Sequence, residues 1–442
     1  MTLSMVRKRR RIDRSQRREG RLDLSSWYLS TRAMFMGGND VRLLCGGDEL
    51  FPAMIAAIGK ARREVWMATY IFNTDTAAQR VAQALAEAAR RGVQVRVVVD
   101  GFGSRTSLPT LQRWWANEPV ALAVFRPLDR WYAWLQPGQF RRLHHKLCVV
   151  DGEVGFVGGI NVIDDRIDLR HGRDEAPRLD FAVELRGPVV RPIEQTTRAM
   201  WTRATFGHDW REEVKALARS AQPVQRARRL LQRLRSTTPR RELLPHILEQ
   251  RPVRAAFVMR DNLRQRSAIE RSYIEAFKRA RTRIDLVSPY FYPGFQFRRT
   301  LREATRRGVQ VRLLLQGKLD YQIAGLAASV LYDELLSHGV RIFEYTPAFL
   351  HAKIAMVDDE WSTVGSSNID PLSLLLNLEG NVVVSDRRFT RELTTHFEQA
   401  IAVSREVTAA PVPRGWWAAL RRGFVAWGAM IYLRMAGITR PY

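Results

Sequence analysis

Two histidines in this chain stand in the same company. Around His144 the sequence reads H-H-K-L-C-V-V-D, so Lys146 follows by two residues and Asp151 by seven, with Gly158-Gly159-Ile160-Asn161 further on. Around His351 it reads H-A-K-I-A-M-V-D, with Lys353 and Asp358 at the same spacing and Gly365-Ser366-Ser367-Asn368 behind them. An imidazole can attack phosphorus and leave again, which suits one histidine to a phosphohistidine intermediate. The other, near neutral pKa, can protonate a leaving oxygen and later deprotonate an incoming alcohol. Two ammonium groups and two carboxamides, Asn161 and Asn368, can neutralise and orient phosphoryl oxygens. With lysine supplying that charge, the chemistry asks for no metal or other cofactor. The 8 histidines and 2 cysteines show no HxxxH or CxxC spacing. A single His-x-Lys says little, because a lone histidine on a strand is usually structural. Two full patterns in one chain say much more.

Such residues need elements to hold them. Residues i and i+2 share a face of a strand, so His144 with Lys146, and His351 with Lys353, are expected to point the same way. The apolar residues behind each motif, Leu147 to Val150 and Ile354 to Val357, read as buried strands. Asp151 and Asp358 lie an odd number of residues from their histidines. They are expected to face away from the pocket and to support the site rather than touch the reacting atoms. The glycines that follow allow a sharp turn that brings Asn161 and Asn368 back toward the lysines.

A second, independent pattern fixes the organisation. Glu87 to Arg96 reads EAARRGVQVR and Glu303 to Arg312 reads EATRRGVQVR. This is an internal repeat. Each copy is preceded by a β-rich run, Val65 to Phe72 or Ile284 to Phe291, and followed by another, Val97 to Val99 or Leu313 to Leu315. Each half reads helix–strand–helix–strand, with a helix over Ala78 to Arg91 stopped by Gly92. That predicts an α/β fold with a mostly parallel or mixed sheet covered by helices.

The chain has 442 residues, 46% of them hydrophobic, with 71 Lys+Arg against 45 Asp+Glu and a net charge of +26. That composition excludes a wholly disordered chain and points to a polyanionic partner, nucleic acid or an anionic membrane surface. Cys45 and Cys148 lie in apolar stretches, which excludes a disulfide framework and fits a reducing compartment. No secretory signal is visible, and no uncharged apolar run is long enough to span a bilayer. The longest, Gly423 to Leu433, is flanked by arginines. The boundaries expected are a basic tail over 1–35, a first lobe over 36–211, a basic linker over 212–254, a second lobe over 255–408 and a basic, aromatic helix over 409–442. That last segment carries Trp416, Trp417, Phe424 and Trp427 among arginines and suits a membrane surface.

The duplicated H-x-K-x4-D resembles the signature of the phospholipase D superfamily, over about residues 40 to 405. The resemblance implies a two-lobed α/β/α sandwich with one active site between the lobes. It also implies His144 as nucleophile and His351 as acid and base. A carboxylate downstream in each half, Asp180 and Glu379 by position, would orient that half's histidine. Asp100-Gly101-Phe102-Gly103-Ser104, Ser288-Pro289-Tyr290-Phe291-Tyr292-Pro293 and Gly365 to Ser373 resemble bacterial cardiolipin synthases. Asp370-Pro371-Leu372-Ser373, and the lack of two leading transmembrane helices, resemble those of the B type. This resemblance implies transfer of a phosphatidyl group between two phosphatidylglycerols, at the cytoplasmic face of a bacterial inner membrane, by a peripheral enzyme. Hydrolysing phospholipases share the same motifs. Nucleases of the superfamily often carry one motif and dimerise, so the duplication and the aromatic C-terminal segment favour lipid over nucleic acid. The oligomeric state stays open.

Overall fold

A computed structural model describes residues 32–127, 141–168, 172–218, 253–261, 265–317, 331–370, 373–374 and 376–408. Most of the expected basic tail and of the linker, the C-terminal helix and Pro371-Leu372 lie outside the described residues. The first half runs β1 (Met36–Cys45), α1 (Gly46–Gly59), β2 (Glu64–Thr69), α2 (Thr76–Arg90), β3 (Gln94–Asp100), α3 (Leu108–Trp114), β4 (Val120–Phe125), β5 (Leu147–Val150), β6 (Val154–Gly158), β7 (Ile167–Asp168), β8 (Gly172–Arg173), β9 (Phe181–Arg186) and α4 (Val190–Ala218). The second half runs β10 (Val253–Arg260), α5 (Ala268–Arg279), β11 (Arg283–Ser288), α6 (Phe295–Arg306), β12 (Gln310–Gln316), β13 (Arg341–Tyr345), β14 (Ile354–Val357), β15 (Trp361–Gly365), β16 (Glu379–Ser385), α7 (Arg387–Ala402) and β17 (Arg405–Val407).

The duplication is visible in the strand order. The first half pairs β1-β9-β6-β5-β2-β3-β4 and the second pairs β10-β16-β15-β14-β11-β12-β13, to which β17 adds an edge. Within each half the β-α-β units pair in parallel, β2 with β3 and β3 with β4, β11 with β12 and β12 with β13. The remaining ladders are antiparallel, so each sheet is mixed. β1 and β10 pair antiparallel with a register irregularity, which joins both halves into one 15-stranded sheet. The last helix of the first half runs on to Ala218, and β10 opens at Val253, which pairs with Asn39.

The repeated decapeptide closes α2 and α6. Asp75 accepts from Ala78 N and caps the start of α2, and Gly92 ends it at a φ of 90°. Gly308 ends the counterpart at 84°, the left-handed region that glycine enters without strain. The arginine before each glycine reaches back to the preceding helix: Arg91 donates to Ile58 O and Arg307 to Phe277 O, both at 3.0 Å. These contacts satisfy carbonyls a helix end leaves open. The last arginine of each copy is used differently. Arg96 lies over the Trp66 ring, whereas Arg312 meets Asp285 at the position matching Trp66 and also binds Glu398.

Each half has its own core against its outer helices, built in the first around Leu50, Ile58, Val81, Leu85, Val95 and Val97, and in the second around Ile269, Phe277, Leu301, Val311 and Leu313. A third core draws on both halves, with Leu147, Val149, Phe181 and Val183 packed among Leu350, Ile354, Val364 and Val382. Burying a side chain of this size stabilises by roughly 1.5–3 kcal/mol, so this shared layer fixes one lobe on the other. Among the described residues, no helix is long and apolar enough to cross a membrane.

Candidate active site

Each motif straddles the start of a strand rather than lying within one. His144 to Lys146 precede β5 and His351 to Lys353 precede β14, where the chain leaves the sheet and crosses to the other lobe. There Leu143 forms a parallel bridge with Leu378, and Leu350 with Leu179. His144 N donates to Leu378 O at 3.0 Å, and His351 N to Leu179 O at 2.9 Å.

Those bridges decide which carboxylate meets which imidazole. His144 Nδ1 lies 2.9 Å from Glu379 Oε2, and His351 Nδ1 lies 2.7 Å from Asp180 Oδ2. The pairing is crossed: each lobe's carboxylate holds the other lobe's histidine, contrary to the within-half pairing expected from sequence. The physical reason is the exchange of bridges, which sets residue 379 beside His144 and residue 180 beside His351.

The two pairs are not equivalent. Glu379 Oε2 also accepts from Ser366 Oγ at 2.6 Å. Burial alone would raise Glu379, but His144, Lys146 and Ser366 hold it below the usual carboxylate range. Asp180 has no such hydroxyl, because Gly159 stands where Ser366 stands in the second half. A Cβ on Gly159 would sit 2.2 Å from Asp180 Oδ1. Burial pushes Asp180 up to about 7. Burial lowers both histidines, against which Glu379 pulls His144 up. His351 goes well below its ordinary value, with Lys353 and Arg178 adding to the effect.

The lysines stand behind the histidines. Lys146 Nζ donates to His144 O at 2.9 Å, and Lys353 Nζ donates to His351 O. Both are nearly fully buried, which lowers Lys146 to about 7 and Lys353 to about 8. Tyr70 presents its ring to His144 edge-on at 5.1 Å, with Lys146 Nζ 5.4 Å from the same ring. Asn161 and Asn368 are buried nearby in sequence, but their roles differ. Asn161 Oδ1 accepts from Ile71 N at 3.2 Å, while Asn368 Oδ1 has no hydrogen-bond partner among the described residues.

Asp151 and Asp358, grouped with the catalytic residues in the sequence pattern, lie at the far end of the strands and outside the site. Four strand residues at about 3.3 Å each separate them from the lysines. Asp151, at a φ of 55°, accepts from Arg62 N, Arg63 N and Glu64 N at 2.8–2.9 Å. Asp358, at 49°, accepts from Arg281 N, Thr282 N and Arg283 N. They anchor the turns that start β2 and β11, the strands against which β5 and β14 pair.

Four contributors were not picked out from sequence. Asp100 Oδ2 accepts from Leu143 N at 2.9 Å, and Gln316 Oε1 accepts from Leu350 N at 3.2 Å, fixing the residue before each histidine. Both end the strand after the decapeptide, so the repeat itself carried the signal. Ser366 offered a signal as well, standing where the first half has glycine. The fourth is His145, wholly buried, with neither ring nitrogen hydrogen-bonded among the described residues and the Glu379 backbone beside it. Burial drops its pKa from 6.5 to about 4. Between those values the unfolded chain binds a proton that the folded chain refuses, so stability falls as pH drops through this window. The melting temperature is expected to decline from pH 6.5 toward 4. In His145→Ala, which copies Ala352 of the other half, that decline is expected to be shallower.

The family described as "Cardiolipin synthase, PLD-like domain" matches residues 54–172 and 273–401, one stretch in each half. The chain belongs to this family, within the phospholipase D superfamily. It is 34% identical over 386 residues to cardiolipin synthase B of Escherichia coli K12, covering 86% of this chain and 85% of that one. It is 32% identical over 397 residues to cardiolipin synthase A of Pseudomonas putida, covering 87% and 74%. Among solved structures, phosphatidylserine synthase from Haemophilus influenzae superposes with a TM-score of 0.61 at 12% identity, covering 92% of this chain and 97% of that one. Membership makes the chain a phosphatidyltransferase of the superfamily and confirms the α/β fold with two repeats.

Proposed function

We propose that the enzyme makes cardiolipin by moving a phosphatidyl group from one phosphatidylglycerol to another, with His144 as nucleophile. The observation that carries this reading is the unequal treatment of the two histidines. Glu379 is held ionised and doubly hydrogen-bonded, so it accepts the Nδ1–H hydrogen bond of a neutral His144 and leaves the Nε2 lone pair outward for attack. His351 faces Asp180, whose raised pKa keeps a proton within that pair. Arrival of a phosphodiester anion between Lys146 and Lys353 favours the imidazolium form, ready to give that proton away.

The steps balance as follows. His144 Nε2 attacks the donor phosphorus, the P–O bond to glycerol breaks, and His351 protonates the departing oxygen. The glycerol hydroxyl of a second phosphatidylglycerol then attacks phosphorus and passes its proton to His351. The P–N bond breaks, its electron pair returns to His144, and cardiolipin leaves. Lys146, Lys353 and the Asn161 and Asn368 carboxamides stabilise the phosphoryl oxygens. The net charge of +26 suits peripheral attachment to the anionic cytoplasmic face of a bacterial inner membrane.

Purified protein, incubated with phosphatidylglycerol vesicles labelled in both acyl chain and headgroup, is expected to give labelled cardiolipin and free glycerol in equal amounts. Phosphatidic acid as the main product makes the enzyme a hydrolase. No lipid product at all removes the lipid reading.

A further inference from the structure

The two halves match residue by residue around their hydrogen bonds. Asp100 ends β3 opposite Phe125, and Gln316 ends β12 opposite Tyr345. Each then accepts from the residue before a catalytic histidine. Arg126-Pro127 therefore corresponds to Thr346-Pro347, and Arg141-Arg142-Leu143-His144 to Ala348-Phe349-Leu350-His351. The second half builds the same approach to its histidine with none of these arginines. The fold does not require them.

In the first half they are gathered and held. Arg126 sits at a φ of 50°, a conformation that costs a long side chain energy. The turn packs so closely that a Cβ on Gly101 would lie 2.6 Å from Arg126 O. Arg126 Nη1 donates to Arg141 O at 3.2 Å, and Arg142 Nη1 donates to Arg126 O at 3.0 Å. Arg203, exposed on α4, adds its charge to the group. The carboxylate facing them is Asp100, 3.8 Å from Arg142, and its oxygens are already taken by Phe102 N, Gly103 N and Leu143 N. Among the described residues Arg126, Arg141 and Arg203 form no ion pair. Burial and the neighbouring Arg141 and Arg142 push Arg126 down to about 10.

Like charges held together around one committed carboxylate create a strong positive potential, which an anion relieves. The cluster adjoins the reacting groups. Arg142 is two residues before His144, and its carbonyl accepts from Leu378 N at 2.9 Å, next to Glu379. Asp100 acts electrostatically on both Arg126 and Lys146.

We propose that Arg126, Arg141 and Arg142 bind the phosphate of the acceptor, so that the enzyme selects an alcohol bearing its own phosphate beside the attacking hydroxyl. This rests on the phosphatidyl-transfer reading. In cardiolipin synthesis the bound group is the phosphodiester of the second phosphatidylglycerol, which becomes the second phosphate of the product. The one-sided arrangement follows: a single acceptor needs a single such site, so only one lobe carries it.

The test compares three acceptors for one labelled donor: glycerol, glycerol phosphate, and phosphatidylglycerol in vesicles. Wild-type protein is matched with Arg126→Asn, Arg126→Lys and Arg141→Gln. Asparagine tolerates the left-handed turn, so that variant removes charge without straining the backbone. The readout is the ratio of kcat/KM for a phosphate-bearing acceptor to that for glycerol, which a merely structural defect leaves unmoved. Arg126→Asn is expected to lower that ratio about ten-fold or more, with Arg126→Lys keeping most of it. A fall for both phosphate-bearing acceptors assigns recognition to the phosphate itself, and a fall for phosphatidylglycerol alone assigns it to the lipid headgroup at the bilayer. Unchanged ratios in Arg126→Asn and Arg141→Gln overturn the proposal. Wild-type transfer to glycerol phosphate without cardiolipin formation instead overturns the cardiolipin reading and leaves the site standing.

Discussion

His144→Ala and His351→Ala are each expected to lower phosphatidyl transfer by about 10⁴-fold or more, the scale on which a unit of interdependent catalytic groups fails. The two losses differ in kind. Without His144 there is no atom to take the phosphatidyl group, so neither cardiolipin nor an adduct forms. Without His351 the nucleophile remains, held by Glu379, but the departing glycerol oxygen lacks its proton. A donor whose leaving group needs none, such as a phosphatidyl nitrophenol ester, is then expected to load His144 and stall there. Acid-quenched protein digested and analysed by mass spectrometry locates the adduct. An adduct on residue 351 in the His144→Ala protein reverses the roles, and near-normal transfer by either variant removes the mechanism.

The crossed carboxylates make the second prediction. Glu379→Gln is expected to slow adduct formation by about 10²–10⁴-fold, as when an orienting carboxylate loses its charge beside a catalytic histidine. The nitrophenol donor does not rescue it, because the defect lies at the nucleophile in the opposite lobe. Asp180→Asn impairs the acid and base at His351, so the nitrophenol donor restores much of adduct formation while transfer onward to an alcohol stays slow. If each carboxylate served the histidine of its own half, the rescue pattern would be exchanged: Glu379→Gln rescued, Asp180→Asn not. Single-turnover measurements with both donors separate the two cases. Ser366→Ala, removing the second hydrogen bond to Glu379, is expected to follow the Glu379 pattern with a smaller loss.

The sequence alone carried the parts of this protein that local chemistry repeats. Two H-x-K-x4-D patterns and two copies of one decapeptide carried the duplication and the α/β class, and singled out His144, Lys146, His351 and Lys353 as candidates. These features are legible because they obey short-range rules: an Arg-Gly pair ends a helix, and an apolar run of four fills a buried strand. Asp180 and Glu379 were found from sequence as carboxylates of the site, but their partners were not. Pairing of a side chain with one 171 or 235 residues distant depends on which strand ends meet, and that was settled by the Leu143–Leu378 and Leu179–Leu350 bridges. The difference between the two histidines came from the same source. A glycine on one side and a serine on the other look like minor variants along the chain, until the carboxylates they face are known. The arginines before His144 had no visible meaning either, since a basic chain offers many arginines and charge alone names no site. The matching strand registers and hydrogen bonds of the two halves show that the fold can be built without them.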